Sequence, residues 1–395
     1  MLRWLEQIAT LTSFNLRTML DRRGWVASAL LGMAFVVTVL VGVLSIAAGF
    51  SQTIRETGSP SRAIVLRAGS DGEMMSILLR DDVRAVEAAP GIAKQDGTAL
   101  VSPELFVIIN LPSQATGTDA NVPMRGVLAP AFGVHDELQV VEGRKFEWGK
   151  NEVIVGRAAQ REFRGLEVGK TLRVGLNDWR VVGAFTANGS ATESEIWTDA
   201  AVLQPAYRRG NSFQSFKVKL ASEGSFQRLK DALTSDPRLE VKVQRETEFY
   251  AGQTRALTGL VVGLGGFISL LMGLGAIFGA LNTMYTAVSS RAKEIATLRA
   301  LGFRASPVVV SVLLESLLIA VVGGTVGALG AWLAFDGYQA ATMNWQSFSQ
   351  VAFAFAVTPL LLVLGIVYAS LLGLVGGLLP AIRAARLPVA TALRE

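Results

Sequence analysis

Three stretches of this chain carry no charged residue at all, 24–54, 256–290 and 337–382, and in a fourth, 305–335, Glu315 is the single charge. Runs of this length can be satisfied by one kind of structure. A helix of about 20 apolar residues crosses the hydrocarbon core of a bilayer, and a helix pairs its own backbone polar groups where no water can. We therefore read four spans, at roughly 25–49, 257–285, 307–335 and 352–379. The first is too long for a signal-peptide core of about 7–15 residues. Charged residues make up only 17% of the chain, against about 25% in soluble domains. The absence of Cys excludes disulfides and thiolate sites, and the single His135 excludes multi-histidine metal sites.

The distribution of charge orients the spans. Residues 51–255 hold 26 of the 37 basic and 26 of the 32 acidic residues and are neutral, so the remaining 11 basic and 6 acidic residues account for the net charge of +5. Those basic residues are Arg3, Arg17, Arg22 and Arg23; Arg291, Lys293, Arg299 and Arg304; and Arg383, Arg386 and Arg394. Each cluster adjoins a span end, and the 336–350 loop has no Lys or Arg. The positive-inside rule places both termini and the 287–304 segment in the cytoplasm. Residues 51–255 and 336–350 are then outside. This basic excess reports topology and offers no nucleic-acid surface.

The chain accordingly divides into a cytoplasmic amphipathic helix (1–23), a first span (24–50), an external domain (51–255), a second span with an external helical extension (246–286), a cytoplasmic helix (287–304), a third span (305–335), a short external loop (336–350), a fourth span (351–380) and a cytoplasmic tail (381–395). In the first helix Trp4, Leu5, Ile8, Leu11 and Phe14 recur at helical spacing, as in a helix lying on a membrane. In the external domain, apolar alternation predicts strands at 63–67, 105–109, 216–220 and 239–243, with helices at 77–87 and 225–233. Two β-α-β pieces, 60–124 and 211–245, thus flank an insertion, 125–210, whose runs at 152–155, 171–174 and 179–184 read as strands around a helix at 157–163. The polar segment 111–123 reads as a linker or exposed loop. An α-helical membrane protein with four transmembrane helices and a large α+β domain follows.

Few residues suggest chemistry. Gly165-Leu-Glu-Val-Gly169-Lys170-Thr171 resembles a phosphate-binding loop but has one residue too few between its glycines, and the next residues read as strand. His135 reads as a surface-loop residue. Glu315, inside the third span, is either a functional intramembrane acid or a structural partner within reach of Arg299 or Arg304. Small residues spaced by four, Gly259/Gly263, Ser269/Gly273, Gly275/Gly279, Gly323/Gly327 and Gly373/Gly377, suit close helix contact. The most informative stretch is SSRAKEIATLRALGFR, 289–304, in which Val288, Ala292, Ile295, Leu298 and Leu301 form one apolar stripe ending at Gly302. Such a helix between two spans suits a soluble partner.

The combination Asn282, Arg291-x-x-Glu294-Ile295-x-x-Leu298-Arg299-Ala300-Leu301-Gly302, Glu315 and Gly323-Gly324 resembles the MacB/FtsX-like permeases of ABC transporters. Pro380-Ala381 through Arg394, and Asn151-Glu152-Val153-Ile154-Val155-Gly156 followed by Val168-Gly169, are similar to other motifs of that family. The resemblance implies a stand-alone permease subunit without a fused ATPase, in a bacterial inner membrane. It implies a periplasmic core domain with a split ferredoxin-like, porter-type lobe and an inserted β-rich lobe. It implies a homodimer or a pairing with a paralogous permease, and a separate ABC ATPase coupled through Arg291, Glu294, Ile295, Leu298, Arg299, Leu301 and Gly302. ATP and Mg would be bound by that partner, with no catalytic residue, cofactor or metal in this chain. A periplasmic adaptor and membrane lipid are further partners that it implies. The task it implies is mechanotransmission: ATP-driven movement of the external domain for export or extraction of an envelope substrate. A regulator that activates a cell-wall hydrolase or senses a peptide is the alternative.

The topology has a direct test. With Cys introduced at Ser212, Ser290 and Ser347, an impermeant thiol reagent added to intact cells labels the first and third. Labelling of position 290 from outside would overturn the four-span orientation.

Overall fold

The computed structural model of the protein describes residues 2–19, 23–175, 177–290, 292–301, 303–344 and 349–386. The chain forms two compact units, one of Met1–Gly49, Gly259–Tyr338 and Phe355–Glu395, the other of Phe50–Thr258 and Gln339–Ala354.

The first unit is helical. Its elements are α1 (Leu2–Met19), α2 (Arg23–Thr57), α3 (Glu246–Ser290), α4 (Ala292–Ala300), α5 (Ala305–Phe335) and α6 (Pro359–Arg386). Four of these, α2, α3, α5 and α6, contain stretches long and apolar enough to cross a membrane. Two helices are longer than the hydropathy pattern alone indicates. α2 continues to Thr57, and the first turns of α3 belong to the other unit. At 1.5 Å per residue, the 45 residues of α3 span about 68 Å. α6 begins at Pro359, later than expected, because 349–354 is a strand. Helix α1 is docked: Leu11 is buried, and the Trp4 indole N–H donates to Ser306 Oγ at 3.1 Å.

Glycine sets how closely these helices approach. A Cβ on Gly323 would lie 3.0 Å from the Leu30 carbonyl, and one on Gly327 would collide with the backbone of Ala34, so α2 and α5 meet backbone to backbone. Gly373 and Gly377 approach Ala320 and Ser316 in the same way, joining α6 to α5. A Cβ on Gly259, Gly263, Gly275 or Gly279 would meet nothing within 4 Å.

The second unit is built on one sheet. Its strands are β1 (Arg62–Arg67), β2 (Val101–Pro112), β3 (Asp119–Val127), β4 (Gln139–Gly143), β5 (Glu152–Gly156), β6 (Thr171–Val174), β7 (Asn177–Thr186), β8 (Ile196–Asp199), β9 (Ser215–Lys219) and β10 (Val241–Arg245). Their order is β10-β1-β9-β2-β3-β8-β5-β7-β4, with β6 on β7. Only β3–β8 and β5–β7 are parallel pairs within it. The halves separated in sequence come together because β2 serves both. Its residues 101–104 pair with β9, and 105–112 pair with β3. On one side, the helix Phe226–Thr234 packs Phe226, Leu229 and Leu233 with Val65, Phe216 and Val243 in one apolar cluster. The inserted strands have their own cores, one around Trp179 and Phe163, another around Trp197 and Phe185.

Three local expectations are corrected. Residues 78–79 form a short strand against Ser212–Phe213, and the helix begins only at Arg80, where Asp82 accepts from the Leu79 N–H. The polar segment 111–123 is the tight end of the β2–β3 hairpin, since its turn residues carry the polarity while Leu111 and Val122 stay buried. The loop after α5 is a hairpin, β11 (Gln339–Asn344) and β12 (Ser349–Ala354), belonging to the sheet-containing unit. There the Ala352 N–H donates to Ser194 Oγ at 3.0 Å, and Phe353 meets Phe50 edge to face.

The glycine contacts give an asymmetric prediction. Gly327→Ala forces α2 from α5, and overpacking of this kind costs about 1–3 kcal/mol, so the thermal midpoint of the purified chain falls. Gly330→Ala meets only Thr38 Oγ1 at 3.7 Å and gains helix propensity, so its midpoint holds or rises. Equal midpoints for the two variants would refute the backbone contact.

Candidate functional site

The residues expected to couple to an ATPase lie on and around α4. Arg291 and Gly302 lie outside the described residues, as does the side chain of Glu294. Ile295 is buried and Leu298 half-buried, packed with Leu11 of α1, Val308 and Val312 of α5, and Ala381 of α6. The stripe therefore does not form a free face. Its inner residues hold α4 to the bundle, because three neighbouring helices offer apolar partners. Leu301 is 74% exposed, and Lys293, Thr297 and Ala300 are also outward. Arg299 is half-buried. Glu315, on α5, is only 3% exposed, beside buried Ser311 and Ser316.

Between helices of this unit lies a cavity of about 410 Å³. Met33, Gly275, Gly279, Ile319 and Ala320 line it, and no charged residue does. Its uncharged wall is suited to apolar matter.

The densest chemistry lies in the sheet unit and was not anticipated. Arg125 of β3 is buried with every guanidinium N–H engaged. Its Nη1 donates to Glu73 at 2.8 Å and Glu104 at 2.7 Å, Nε and Nη2 to Glu195 at 2.7 Å, and Nη2 also to Glu73 at 3.2 Å. Beside it, Lys217 of β9 donates to Glu246 at 2.7 Å and to the Tyr250 hydroxyl at 2.9 Å. Arg62 of β1 bridges Glu246 and Glu137, both at 2.5 Å, and also donates to the Thr57 carbonyl at 3.3 Å. Glu246 is the first residue of α3 and Thr57 the last of α2, so the ends of two long helices are bonded to the sheet.

His135, expected on a surface loop, is buried here. Its Nε2 stands 2.8 Å from Glu104 and its Nδ1 3.6 Å from Glu137. The segment around helix Ala131–Val134 packs on the sheet and carries the ring inward, edge-on to Trp197.

Burial sets the electrostatics, and the partners overcome it. Desolvation would raise the Glu104 and Glu73 carboxyls, yet the Arg125 guanidinium holds both below the usual carboxylate range. Desolvation would likewise lower Lys217, but Glu246 keeps it well above the ordinary lysine value. Glu246 is held low by Lys217 and Arg62. The signal in the sequence was a set of ionisable residues inside otherwise apolar strands, such as Glu104 in VSPELFVIIN and Lys217 in FKVKL. Alternation alone assigns such residues to a solvent face.

No nucleotide loop forms at 165–171. The Gly169 N–H donates to the Val181 carbonyl at 2.8 Å, and a strand follows at Thr171. Among the described residues no cluster of His, Asp and Glu is arranged to hold a metal ion.

Two family models match separate parts of the chain. The family model for the MacB-like periplasmic core domain matches residues 26–236, and that for the FtsX-like permease C-terminal region matches 266–389. Similar curated proteins include "Macrolide export ATP-binding/permease protein MacB 1/2" of Paracoccus denitrificans (strain Pd 1222), 26% identical over 391 residues, covering 93% of this chain and 56% of that protein. The MacB protein of Bdellovibrio bacteriovorus (strain ATCC 15356 / DSM 50701 / NCIMB 9529 / HD100) is 25% identical over 400 residues, covering 93% of this chain and 58% of its own length. The chain thus spans less than two thirds of the curated relatives it matches. Among solved structures, the periplasmic region of MacB from Actinobacillus actinomycetemcomitans aligns with a TM-score of 0.38 at 15% identity, over 51% of this chain and 95% of that one. The extracellular domain of the ABC-type transporter YknZ, from Gram-positive bacteria, aligns with a TM-score of 0.35 at 16% identity, over 46% of this chain and 99% of that one. With both of its halves matched, the core domain over 26–236 and the permease region over 266–389, the chain belongs to the MacB/FtsX-like family of ABC transporter permeases.

Proposed function

We propose that the chain is the membrane subunit through which ATP hydrolysis by separate ATPase subunits moves an external domain, for export or extraction of an envelope substrate. The observation that carries this reading is α3. It runs without a break from Glu246, bonded to Arg62 and Lys217 of the sheet, through the apolar span to Ser290 beside α4. Residues of α3 belong to both units, and we read this helix as the element that couples them. The spans supply no competing mechanism. Ion and polar-solute routes place repeated ionisable groups at membrane depth, whereas Glu315 is the single charge in 305–335 and the other spans have none.

ATP and Mg then belong to the partner, and this chain is non-catalytic. It works in a bacterial inner membrane, with both termini cytoplasmic and the sheet domain periplasmic, as a homodimer or with a paralogous permease. A periplasmic adaptor would complete an export route. The relatives' names specify macrolide export for those proteins. For this chain the uncharged wall of the cavity supports an apolar substrate. We assign coupling to Lys293 and Arg299 of α4 and to Leu301 just past its end, with Arg291, Glu294 and Gly302 assigned from the sequence motif alone. Ile295 and Leu298 support it from within.

Two substitutions, one on α4 and one just past its end, test the reading. Leu301→Asp places a carboxylate on the outward side, so capture of the ATPase subunit that co-purifies with the wild-type chain drops on the order of tenfold or more, about 1.4 kcal/mol or above, with the thermal midpoint unchanged. Leu298→Asp buries a carboxylate in the chain's own cluster and lowers the midpoint instead. Wild-type capture by Leu301→Asp would remove this surface from the coupling role. ATP hydrolysis by the purified chain freed of every partner would overturn the reading itself.

A further inference from the structure

The imidazole of His135 stands between two carboxylates that belong to different parts of the sheet domain. Nε2 faces Glu104 of β2 at 2.8 Å, and Nδ1 faces Glu137 at 3.6 Å, too far for a hydrogen bond. Nδ1 is a buried polar atom without a hydrogen-bond partner. A neutral imidazole has one N–H and one lone pair. If Nε2 carries the proton, the lone pair of Nδ1 points at the Glu137 carboxylate. If Nδ1 carries it, the lone pair of Nε2 points at Glu104. Only the doubly protonated ring presents an N–H to each.

The remaining charges around the ring do not remove this demand. Arg62 of β1 pairs with Glu137 and Glu246, Arg125 of β3 with Glu104, Glu73 and Glu195, and Lys217 of β9 with Glu246. Five buried or half-buried carboxylates thus share three permanent cations. The other face of the ring is the Trp197 side chain of β8, centroids 5.0 Å apart, which contributes no charge.

We propose that His135 is a proton-dependent latch in the sheet domain: as an imidazolium it holds Glu104 and Glu137 together and, through Glu137–Arg62, secures Thr57 at the end of α2 and Glu246 at the start of α3. Deprotonation leaves one carboxylate facing a lone pair and loosens the Glu137–Arg62 arm. The electrostatics agree in sign. Burial opposes the charged ring, but Glu104 and Glu137 raise its pKa above the ordinary histidine value. Stability from this group is then complete below about pH 6.5, the unfolded value, and is lost as pH rises through the higher folded midpoint.

The chain contains one histidine, which makes the test unambiguous. Full-length protein, purified without a histidine tag and labelled with ¹⁵N,¹³C-histidine, gives a single imidazole signal by NMR. The expected result is an imidazolium at pH 6.5 with a midpoint above that value. A neutral ring at pH 6.5 would overturn the proposal without any mutation. Hydrogen exchange, corrected for its intrinsic pH dependence, reads the latch itself. Protection of 57–62 and 246–250 should fall as pH rises through the imidazole midpoint, and this step should be lost in His135→Gln, which cannot carry the charge. A ring that titrates while both segments keep their protection would refute the latch. So would a step of unchanged size in the variant.

Discussion

A guanidinium enclosed by carboxylates is the constraint on which the sheet domain depends. Arg125 places all of its donors on Glu73, Glu104 and Glu195, which come from three separate parts of the chain. A buried ion pair contributes little net stability compared with apolar packing, but leaving one partner alone costs about 3–5 kcal/mol. The arrangement is therefore intolerant of slippage. Shifting β2 by one residue would turn Glu104 to the opposite face and take one of its three carboxylates from Arg125. The same network passes through Lys217 and Arg62 to Glu246, so the register of the sheet and the root of α3 are determined together.

The helical unit answers a different constraint. In lipid there is no hydrophobic drive between helices, so association relies on close van der Waals contact. Gly323 and Gly327 bring α5 onto the backbone of α2, and Gly373 and Gly377 bring α6 onto α5. The second span is the least covered, with 17% of its apolar window buried compared with 33–44% in the others. This is the helix that the proposed mechanism requires to move. A span held by few contacts within its own chain can shift without unpacking the bundle. Its first turn is held firmly, by contrast, through the two charge pairs at Glu246.

Much of this was legible in the residues. The four spans, the strands at 152–155 and 171–174, the unbroken second span with its extension and the α4 segment all follow from period, charge and breakers, which are local properties. The contact role of Gly323/Gly327 was legible too. That a Cβ on Gly275 or Gly279 would meet nothing within 4 Å was not, because a small-residue spacing marks a helix able to pack closely and does not select its neighbour. The inward turn of Ile295 and Leu298 belongs with this. Amphipathicity identifies an apolar stripe, but whether the stripe meets a partner or the chain's own helices depends on where α1, α5 and α6 come to lie.

Local patterns of residues settle what the chain can be: a four-span helical protein with a mixed α+β domain, because lipid tolerates no unpaired backbone and strands must alternate. Which charges are buried depends on long-range pairing. Glu104, Arg125, His135, Lys217 and Glu246 are far apart in the chain, and each reads as a solvent-facing residue in its own segment. They become one network because β2 joins the two halves of the sheet and the first turns of α3 bring Glu246 and Tyr250 onto Lys217 of that sheet. Burial is a property of what lies opposite a residue, and that is set by long-range pairing, which no local pattern contains.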